Sequence, residues 1–432
     1  MATRIFLSDI AQNLTTSVTL SGWVFNLRSS GSIFFLQLRD GTGRIQCVVS
    51  KKEVSSGVWD ACAALTIESS VTVTGTVRED TRSPFGYEMK VSDLTVVSIA
   101  AEYPIGKKEH GVDFLMDERH LWIRAERQNA ILRIRDEIEF AWRTFFRQRG
   151  YVLTDAPIFT PNACEGTTDL FEVNYFENKA YLTQSGQLYI EATAAALAKV
   201  YCFGPTFRSE KSKTRRHLTE FWMLEAESAF VDFDENMQLQ EELVAATVAS
   251  VLAHRTAELT VLERDTAVLQ KTTEGKFPRI QYHDAIVQLQ KLGSDVKSGD
   301  DLGADDETML TKQYDRPIFI HRYPVAVKAF YMKPDPKDAT LALGSDLLAP
   351  EGYGEIIGGS QRIDDLQLLE DRIKQHKLPR AAFEWYLDLR RYGSVPHSGF
   401  GIGLERTVAW ICGIDHVRET IPFPRLMNRL SP

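Results

Sequence analysis

The sequence predicts an α+β protein that has a small N-terminal β-barrel followed by a larger domain of mixed helices and strands. Residues up to about 100 carry short runs of β-branched and aromatic residues separated by turn residues. From Ile131 onward, apolar residues recur at helical spacing, and helices alternate with strand-like runs. At 432 residues the chain is long enough for two or more domains.

The N-terminal domain is predicted from strands alone. Five short strands within about 100 residues fit a closed barrel of the OB type, and we expect it to cover residues 1–102. A β-sandwich would have the same strand pattern, so the pattern alone does not distinguish it from the barrel. The predicted strands are Val18–Val24, Ser32–Leu38, Arg44–Val49, Val71–Val77 and Met89–Val97.

A polar stretch over residues 103–127 is expected to be a linker or hinge, and residues 128–432 form the second domain. This domain should open with a long helix, because apolar residues from Ile131 to Phe145 keep a helical period and Gly150 follows where a C-cap belongs. Further along we expect helices at Asp234–His254 and Asp364–Lys377 and a strand at Ala381–Leu389.

Composition excludes several classes of protein. A hydrophobic fraction of 44% and a charged fraction of 25% are typical of a globular protein, with no apolar run long enough for a membrane span. The N-terminus lacks a secretory signal, and the five cysteines have no CxxC spacing, which favours a reducing compartment such as the cytoplasm. The net charge of −9 neither supports nor excludes nucleic-acid binding, since phosphate contacts are local.

The most informative segment is Phe203–Glu227, where two strand-like runs flank a basic loop. It predicts a long hairpin with Arg208 and Glu210 on one face of the first strand. A solvated hairpin tip would have the same composition, so the loop alone specifies no function. Its positive charges are Lys211, Lys213, Arg215 and Arg216.

This segment resembles motif 2 of the class II aminoacyl-tRNA synthetases, and the other two motifs of that family follow its order. Arg149–Pro161 (RGYVLTDAPIFTP) resembles motif 1, with Pro157 at the dimer interface, and Gly399–Arg406 (GFGIGLER) resembles motif 3. Together with the barrel, the three motifs cover nearly the whole chain. The resemblance implies a catalytic domain built on an antiparallel sheet flanked by helices, and a homodimer formed through motif 1.

Within class II the chain is similar to the aspartate, asparagine and lysine enzymes, which carry an N-terminal OB barrel. Phrases such as LTQSGQLYIEA, GEIIGGSQR and YLDLRRYG resemble the asparagine enzymes in particular. The resemblance implies that L-asparagine is activated with ATP and transferred to tRNA-Asn. In the barrel, Arg28, Phe35 and Gln46 match positions that recognise the central anticodon base. The basic loop would approach the tRNA acceptor end.

The resemblance also assigns the ATP site. Activation is attack by a carboxylate on the α-phosphate, so cations must face the charge that develops there. Arg208 matches the arginine that contacts the α-phosphate, a task suited to a bidentate guanidinium. His217 and Arg406 match groups near the γ-phosphate. Phe221 and Arg406 would enclose the adenine ring, with Glu210 at the polar edge of the nucleotide.

Magnesium requires hard oxygen ligands, and Asp346 and Glu355 match the acidic pair of the family that holds it against the ATP phosphates. An acidic pair on the protein surface would look the same in the sequence, so the two residues alone do not specify a metal site. The position of this pair just before GGSQR is the reason to expect metal ligation.

The amino-acid site is implied in the same way. Ser185, Gln187 and Glu225 match positions that hold the substrate α-ammonium group, and the loop around Glu165 resembles a mobile lid over the amino acid. His397, before motif 3, either lines the same pocket or packs in the core.

Asparagine rather than aspartate is predicted from two neighbouring positions. Arg362 matches the arginine that reads the substrate side chain, but Ile190 replaces the lysine expected of an aspartate enzyme. Glu191 follows it, and a carboxylate there can accept a hydrogen bond from an amide NH2 while repelling a second carboxylate.

Three alternatives stay open: an aspartyl-tRNA synthetase, discriminating or not; an asparagine synthetase that shares this catalytic fold; and a non-catalytic RNA-binding paralogue. Ile190 and Glu191 argue against the first, and the complete barrel argues against the second. Intact Arg208 and Arg406 argue against the third.

Overall fold

The computed structural model describes residues 2–83, 85–106, 108–161, 164, 169–274 and 276–432. The chain divides into two compact units, Met1–Glu118 and Arg119–Pro432. None of the helices in the described part of the chain combines the length and the apolar composition that a membrane crossing requires.

The first unit is a closed β-barrel. Its strands are β1 (Thr3–Arg4), β2 (Ser17–Ser30), β3 (Ile33–Arg39), β4 (Arg44–Ser50), β5 (Ser70–Glu79) and β6 (Tyr87–Ser98), with a 3-10 helix at Leu7–Asn13 and helices α1 (Ser56–Ala63) and α2 (Val112–Asp117). The strand order is β1-β2-β3-β4-β6-β5, and β2 also pairs with β5. This second pairing closes the five long strands on themselves, which confirms the OB barrel and excludes the sandwich.

Alternation along the strands explains why the barrel closes. Alternate residues of β3 and β4 are buried, so one face of each strand fills the interior. Leu36, Leu38 and Val49 are among the interior side chains. All five predicted strands lie at these positions.

The second unit contains the remaining elements. Its helices are α3 (Arg119–Trp122), α4 (Glu126–Gln148), α5 (Gln187–Leu197), α6 (Phe233–His254), α7 (Thr256–Val261), α8 (Ala267–Glu274), α9 (Tyr282–Lys291), α10 (Ala304–Thr311), α11 (Leu366–Gln375), α12 (Glu384–Arg391) and α13 (Leu404–Cys412), with 3-10 turns at Val325–Val327, Arg380–Phe383 and Val417–Glu419. Its strands are β7 (Val152–Leu153), β8 (Phe159–Thr160), β9 (Glu172–Tyr175), β10 (Asn178–Leu182), β11 (Lys199–Phe207), β12 (Glu220–Ala229), β13 (Arg279–Gln281), β14 (Ile318–His321), β15 (Pro334–Asp335), β16 (Asp338–Ala342), β17 (Gly344–Ala349), β18 (Gly354–Gln361) and β19 (His397–Gly403).

The main sheet of this unit has the order β13-β14-β17-β18-β19-β12-β11-β7. Neighbouring strands from β14 to β11 are antiparallel, whereas the two edge strands β13 and β7 pair in parallel. Helices α4, α6 and α13 contribute Trp142, Val244 and Trp410 to one large apolar core with the sheet. The predicted antiparallel sheet flanked by helices is therefore confirmed, and the strands of motifs 2 and 3 lie side by side at its centre.

Local predictions in this unit succeed where the hydrophobic period is unambiguous. Helix α4 follows the apolar period and ends at Gln148, and Gly150 adopts the left-handed conformation with φ 78°. The predicted strand at Ala381–Leu389 is wrong, since the chain there forms a 3-10 turn and helix α12. Phe383, Tyr386 and Leu387 are buried at offsets of three and four residues, which is a helical period that the aromatic composition concealed.

The stretch predicted as a linker contains α2 and α3. Arg119 in α3 is almost fully buried, and its guanidinium donates to the backbone carbonyls of Pro422 and Ile421 at 2.9 Å each. The last part of the stretch is therefore packed into the second unit.

Candidate active site

A cavity of about 730 Å³ opens over the central strands of the second unit. Its walls come from the β11–β12 hairpin, the β17–β18 hairpin, and the junction of β19 with α13. The predicted site residues that line it are Gln187, Arg208, Glu210, Arg216, His217, Phe221, Glu225, Asp346, Glu355, Arg362 and Arg406. Residues that lie more than 200 positions apart thus meet in one cavity, because β12, β19 and β18 are neighbours.

The cations of motifs 2 and 3 converge at one end of the cavity. Arg208 follows β11, and its backbone N–H donates to the carbonyl of Thr219 at 3.0 Å, so it lies where the hairpin begins to open. Its guanidinium carbon is 5.9 Å from the ring centre of Phe221. Arg406, in the first turn of α13, donates to the backbone carbonyl and the carboxylate of Glu355 at 2.9 and 3.1 Å. This end has the positive charge that a polyphosphate requires.

His217 lies beside these cations. Partial burial, together with the positive charges of Arg406 and Arg208, lowers the pKa of its imidazole below the usual value. The ring is therefore neutral at neutral pH, and it can donate one hydrogen bond without adding charge.

Asp346 on β17 and Glu355 on β18 form an acidic pair in the cavity wall. A Cβ added to Gly358 would lie 3.1 Å from Glu355 Oε1 and 3.9 Å from Asp346 Oδ1, so both carboxylates lie over the same glycine. Burial raises the pKa of Asp346, Lys328 opposes that shift, and the charge of Glu355 adds to it. Two carboxylates this close favour a cation between them.

Two charged residues of this region are absent from the sequence prediction. The Lys328 ammonium is 2.8 Å from Asp346 Oδ2, and Glu307 Oε2 accepts from the backbone N–H of Glu355 at 3.1 Å. Burial and the neighbouring Glu355 raise the pKa of Glu307 to about 7. A lysine inside the apolar run of Ala326–Phe330 is a signal that sequence reasoning could have used. Glu307 belongs to an acidic run at the start of α10 and has no such signal.

At the other end of the cavity, Glu225 on β12 lies at the N-terminus of α5. Its carboxylate accepts a hydrogen bond from the Ser185 hydroxyl and another from the Gly186 N–H at 2.6 Å. Only glycine fits at 186, because a Cβ there would lie 2.7 Å from the Cys202 sulfur and 2.8 Å from Ala156 Cβ. Glu225 and Gln187 line the cavity, while the structure places Ser185 behind Glu225 as its hydrogen-bond donor.

Arg362 at the end of β18 is buried and lines the same end of the cavity. Its Nη2 is 2.9 Å from Glu227 Oε2, and its Nη1 donates to the Ser360 hydroxyl at 2.7 Å. Glu227 was not among the predicted residues. Its position two residues after Glu225, on the same face of β12, is the signal that could have identified it.

Glu191 is fully enclosed and does not line the cavity. Its carboxylate accepts from Tyr386 OH at 2.7 Å, Arg390 Nη2 at 2.8 Å and His397 Nε2 at 3.1 Å, and it lies 3.9 Å from the Arg362 guanidinium. Burial raises the pKa of Glu191, but Arg390 and His397 outweigh that effect and lower the pKa well below its usual value. This geometry does not match the prediction that Glu191 contacts a substrate amide directly, since its oxygens already have partners on α12 and β19.

His397, for which the sequence allows either the pocket or the core, belongs to this buried network. Burial lowers the pKa of its imidazole, but the hydrogen bond and negative charge of Glu191 outweigh that effect and raise it overall. The network places two carboxylates, Glu191 and Glu227, against two guanidiniums, Arg362 and Arg390.

The basic loop of the motif 2 hairpin separates into two parts. Lys211, Lys213 and Arg215 are exposed. Arg216 differs from the prediction, because its Nη1 pairs with Glu307 Oε2 at 2.8 Å and its Nη2 donates to the Gly352 carbonyl at 2.5 Å. Its side chain is 10% exposed, so this arginine fastens the loop to α10 rather than facing solvent with the other three. Glu165 of the predicted lid lies outside the described residues.

In the barrel, the three predicted anticodon residues share one outer face. Arg28 on β2 and Phe35 on β3 are direct cross-strand partners, with the guanidinium carbon 6.0 Å from the ring centre. Gln46 on β4 donates to Glu88 on β6 at 3.0 Å. The Phe35 ring is half-buried, while the neighbouring Phe34 points into the core.

A closed OB barrel, together with a cavity formed where motif 2 and motif 3 meet on an antiparallel sheet, defines a class II aminoacyl-tRNA synthetase. Residues 111–427 match the family described as tRNA synthetases class II (D, K and N), and residues 18–97 match the OB-fold nucleic acid binding domain. The chain belongs to this D, K and N family of class II tRNA synthetases.

Similar proteins agree with this assignment. The asparagine–tRNA ligase of Pelotomaculum thermopropionicum is 59% identical over 429 residues, which cover 99% of this chain and 100% of that protein. The crystal structure of asparaginyl-tRNA synthetase from Pyrococcus horikoshii complexed with asparaginyl-adenylate is 45% identical, with a TM-score of 0.97 and full coverage of both chains. The aspartyl tRNA synthetase from Entamoeba histolytica is 27% identical, with a TM-score of 0.84 and coverage of 100% of this chain and 93% of that one.

Proposed function

We propose that this chain is an asparagine–tRNA ligase, which activates L-asparagine with ATP and transfers it to tRNA-Asn. The observation that carries the proposal is the charge balance around Arg362. Its guanidinium faces the cavity, yet it is already paired with the Glu227 carboxylate at 2.9 Å. The Glu191 carboxylate lies 3.9 Å from the same guanidinium. Two carboxylates of the protein therefore already oppose the Arg362 guanidinium at this end of the cavity.

A neutral carboxamide fits such a subsite better than a carboxylate. The amide oxygen can accept from Arg362, whereas an aspartate side chain would approach two buried glutamates, Glu191 and Glu227, in a region of low dielectric. Ile190 points into the apolar cluster behind α5, so no lysine from that position adds a second cation. We assign Glu191 an indirect role here: it holds Arg362 and Arg390 in place from behind.

The remaining residues support adenylate formation. With the amino acid at Arg362, Gln187 and Glu225 lie where they can accept from the α-ammonium group. Arg208 then lies between the substrate carboxylate and the α-phosphate, where it stabilises the charge of the transition state. His217, Glu210, Phe221 and Arg406 would bind the rest of ATP.

The acidic pair suits magnesium. Asp346 and Glu355 present hard oxygen atoms over one glycine and toward the phosphate end of the cavity, which is the donor set that Mg²⁺ prefers. Magnesium, when bound with ATP, supplies positive charge against the phosphates of the leaving pyrophosphate. Arg406 orients Glu355 for this role through the bond at 3.1 Å.

We infer that tRNA-Asn is bound through both units and that the protein is a homodimer. The outer face with Arg28, Phe35 and Gln46 suits stacking and edge recognition of a single-stranded base. The exposed Lys211, Lys213 and Arg215 suit the phosphates of the acceptor end.

Exposed apolar side chains of motif 1 support the dimer. They are Val152, Leu153, Ile158 and Phe159. We also propose that residues 1–102 form the anticodon-binding domain and that residues 103–127 act as the hinge. The enzyme is proposed to be cytoplasmic, where its five buried thiols would stay reduced.

ATP–pyrophosphate exchange with asparagine and aspartate, followed by charging of tRNA-Asn and tRNA-Asp, tests the proposal. We expect exchange with asparagine to exceed that with aspartate by about 10³-fold or more, since paired buried polar groups reject the wrong ligand strongly. Arg208→Ala should abolish exchange with either amino acid. Faster exchange with aspartate would overturn the choice of substrate, and exchange without charging of any tRNA would overturn the ligase assignment.

A further inference from the structure

Lys328 has no role in the site as described so far, although its ammonium lies in the cavity wall. It follows the 3-10 turn at Val325–Val327, and its side chain is 11% exposed. Its Nζ is 2.8 Å from Asp346 Oδ2 and 3.7 Å from the ring centre of Tyr323, whose hydroxyl also donates to Asp346. One proposed magnesium ligand therefore already has a cation partner within the chain.

The same ammonium has a second carboxylate within reach. Asp301 Oδ1 is 3.6 Å from Lys328 Nζ, and it lies at the rim, where its side chain is 61% exposed compared with 16% for Asp346. The lysine head group is thus situated between a buried and an exposed carboxylate. A small rotation of its flexible four-carbon stem would move it from one to the other.

A divalent cation on Asp346 and an ammonium 2.8 Å from the same carboxylate would repel each other. Repulsion between a single and a double positive charge a few ångströms apart is large in a buried site. The phosphates of a bound nucleotide would offset that repulsion, whereas the protein alone would not. Metal occupancy and nucleotide occupancy are therefore coupled through the position of Lys328.

We propose that Lys328 is an exchangeable counter-ion of Asp346. It orients this carboxylate before the metal and nucleotide arrive, and it moves to Asp301 when Asp346 takes a divalent cation. In this way it prevents the cavity from binding metal without nucleotide. The inference rests on the proposed function of Asp346 and Glu355 as metal ligands.

The test uses Mn²⁺ as the probe and the full-length protein without nucleotide. Free Mn²⁺ is measured by electron paramagnetic resonance, and binding is confirmed by calorimetry. We expect Lys328→Met to bind Mn²⁺ at least tenfold more tightly than the wild type, and Asp346→Asn added to it should remove the gain. Lys333→Met is the matched control, since Lys333 pairs with Asp364 at 2.7 Å and does not line the cavity.

Asp301→Asn tests the same exchange without exposing a buried charge. With a non-hydrolysable ATP analogue bound, this variant should bind Mn²⁺ several-fold more weakly, because the released ammonium has lost its second partner. It carries the test if Lys328→Met does not fold. If Lys328→Met does fold, Mn²⁺ should raise its Tm more than it raises the Tm of the wild type.

The outcomes separate the two levels of the argument. Unchanged Mn²⁺ affinity in Lys328→Met would overturn the proposed exchange of Lys328 between two carboxylates. If Lys328→Met does not fold, unchanged affinity in Asp301→Asn would overturn it instead. In either case, loss of Mn²⁺ binding in Asp346→Asn with the analogue bound would still support Asp346 as a metal ligand. If Asp346→Asn binds Mn²⁺ normally with the analogue, the metal ligand assignment itself fails.

Discussion

The guanidinium of Arg362 and the carboxylate of Glu227 form a buried ion pair, with Nη2 and Oε2 2.9 Å apart. The pair joins the end of β18 to β12, and its cationic member lines the cavity while its anionic member lies behind. A second carboxylate, Glu191, is 3.9 Å from the same guanidinium. Arg362 can therefore donate to a ligand without presenting net positive charge to it.

Replacing Glu227 by glutamine should relax the preference for asparagine. The change leaves the charge of Arg362 without its carboxylate partner, so an aspartate side chain can pair with it. Removing one partner of a buried ion pair also lowers the free energy of unfolding by about 3–5 kcal/mol. We expect kcat/KM for asparagine in pyrophosphate exchange to fall about 100-fold and the aspartate-to-asparagine ratio to rise at least tenfold.

The control for this variant is Glu242→Gln, since Glu242 forms an exposed pair with Arg149. It should leave both amino acids unaffected. An unchanged ratio in Glu227→Gln would mean that Glu227 does not set the charge of the subsite.

Glu191 should act through its neighbours and not through the substrate. Tyr386→Phe removes a hydroxyl that donates to Glu191 at 2.7 Å, and Glu191→Gln removes the charge that pairs with Arg390. Because both changes disturb one network, their effects on the KM for asparagine should be non-additive by about 1 kcal/mol or more in a double-mutant cycle.

Thermal unfolding separates this role from a direct contact. Both single variants should lower the Tm, with the larger decrease for Glu191→Gln, which leaves Arg390 without its buried partner. If Glu191→Gln changes the asparagine KM while the Tm and the Tyr386→Phe variant behave as wild type, a direct contact with the amide is the better account.

Much of the fold follows from short-range patterns in the sequence. The barrel strands keep an alternation that only one register can bury, and the apolar residues of α4 keep a helical period over about four turns. At α12 the aromatic composition favoured a strand, but the burial of Tyr386 and Leu387 depends on tertiary packing against α5 and α11. Local propensity could not show that contact.

Many of the charged residues that line the cavity can be predicted from the sequence, whereas partners that come from distant elements cannot. Arg208, Arg406 and Asp346 are recognisable from their surroundings in the chain. The pairing of Arg216 with Glu307 joins residues 91 positions apart, and nothing near either residue indicates it. The sequence predicts that Glu191 contacts the ligand, because spacing along the chain does not reveal that Tyr386, Arg390 and His397 surround it.

The barrel face predicts an effect on tRNA that spares amino-acid activation. Phe35→Ala removes the half-buried ring beside Arg28, and loss of one stacked base costs about 1–3 kcal/mol. We expect kcat/KM for charging of tRNA-Asn to fall about 10- to 100-fold, while ATP–pyrophosphate exchange without tRNA is unchanged. Phe6→Ala is the control, since Phe6 is exposed in the same unit but follows β1 and does not lie on β2, β3 or β4. Equal charging by both variants would exclude Phe35 from the anticodon site.

Two histidines of the second unit should make its stability depend on pH. Burial and the charge of Arg322 lower the pKa of His321 to about 4, and burial with Arg418 and Arg215 lowers that of His416 to about 4. His321 Nδ1 accepts from the Arg322 guanidinium at 2.9 Å, which only the neutral ring can do.

Because the folded pKa is below the unfolded value of about 6.5, the unfolded chain binds more protons between these limits, and stability decreases as the pH falls from about 7 toward 4. Scanning calorimetry between pH 7.5 and 5.5 should show a decrease in Tm that is smaller in His321→Gln and smallest when His416→Gln is added. The exposed His283→Gln is the matched control and should follow the wild type. If all four proteins lose the same Tm over this range, where few carboxylates titrate, the two buried imidazoles do not carry the pH dependence.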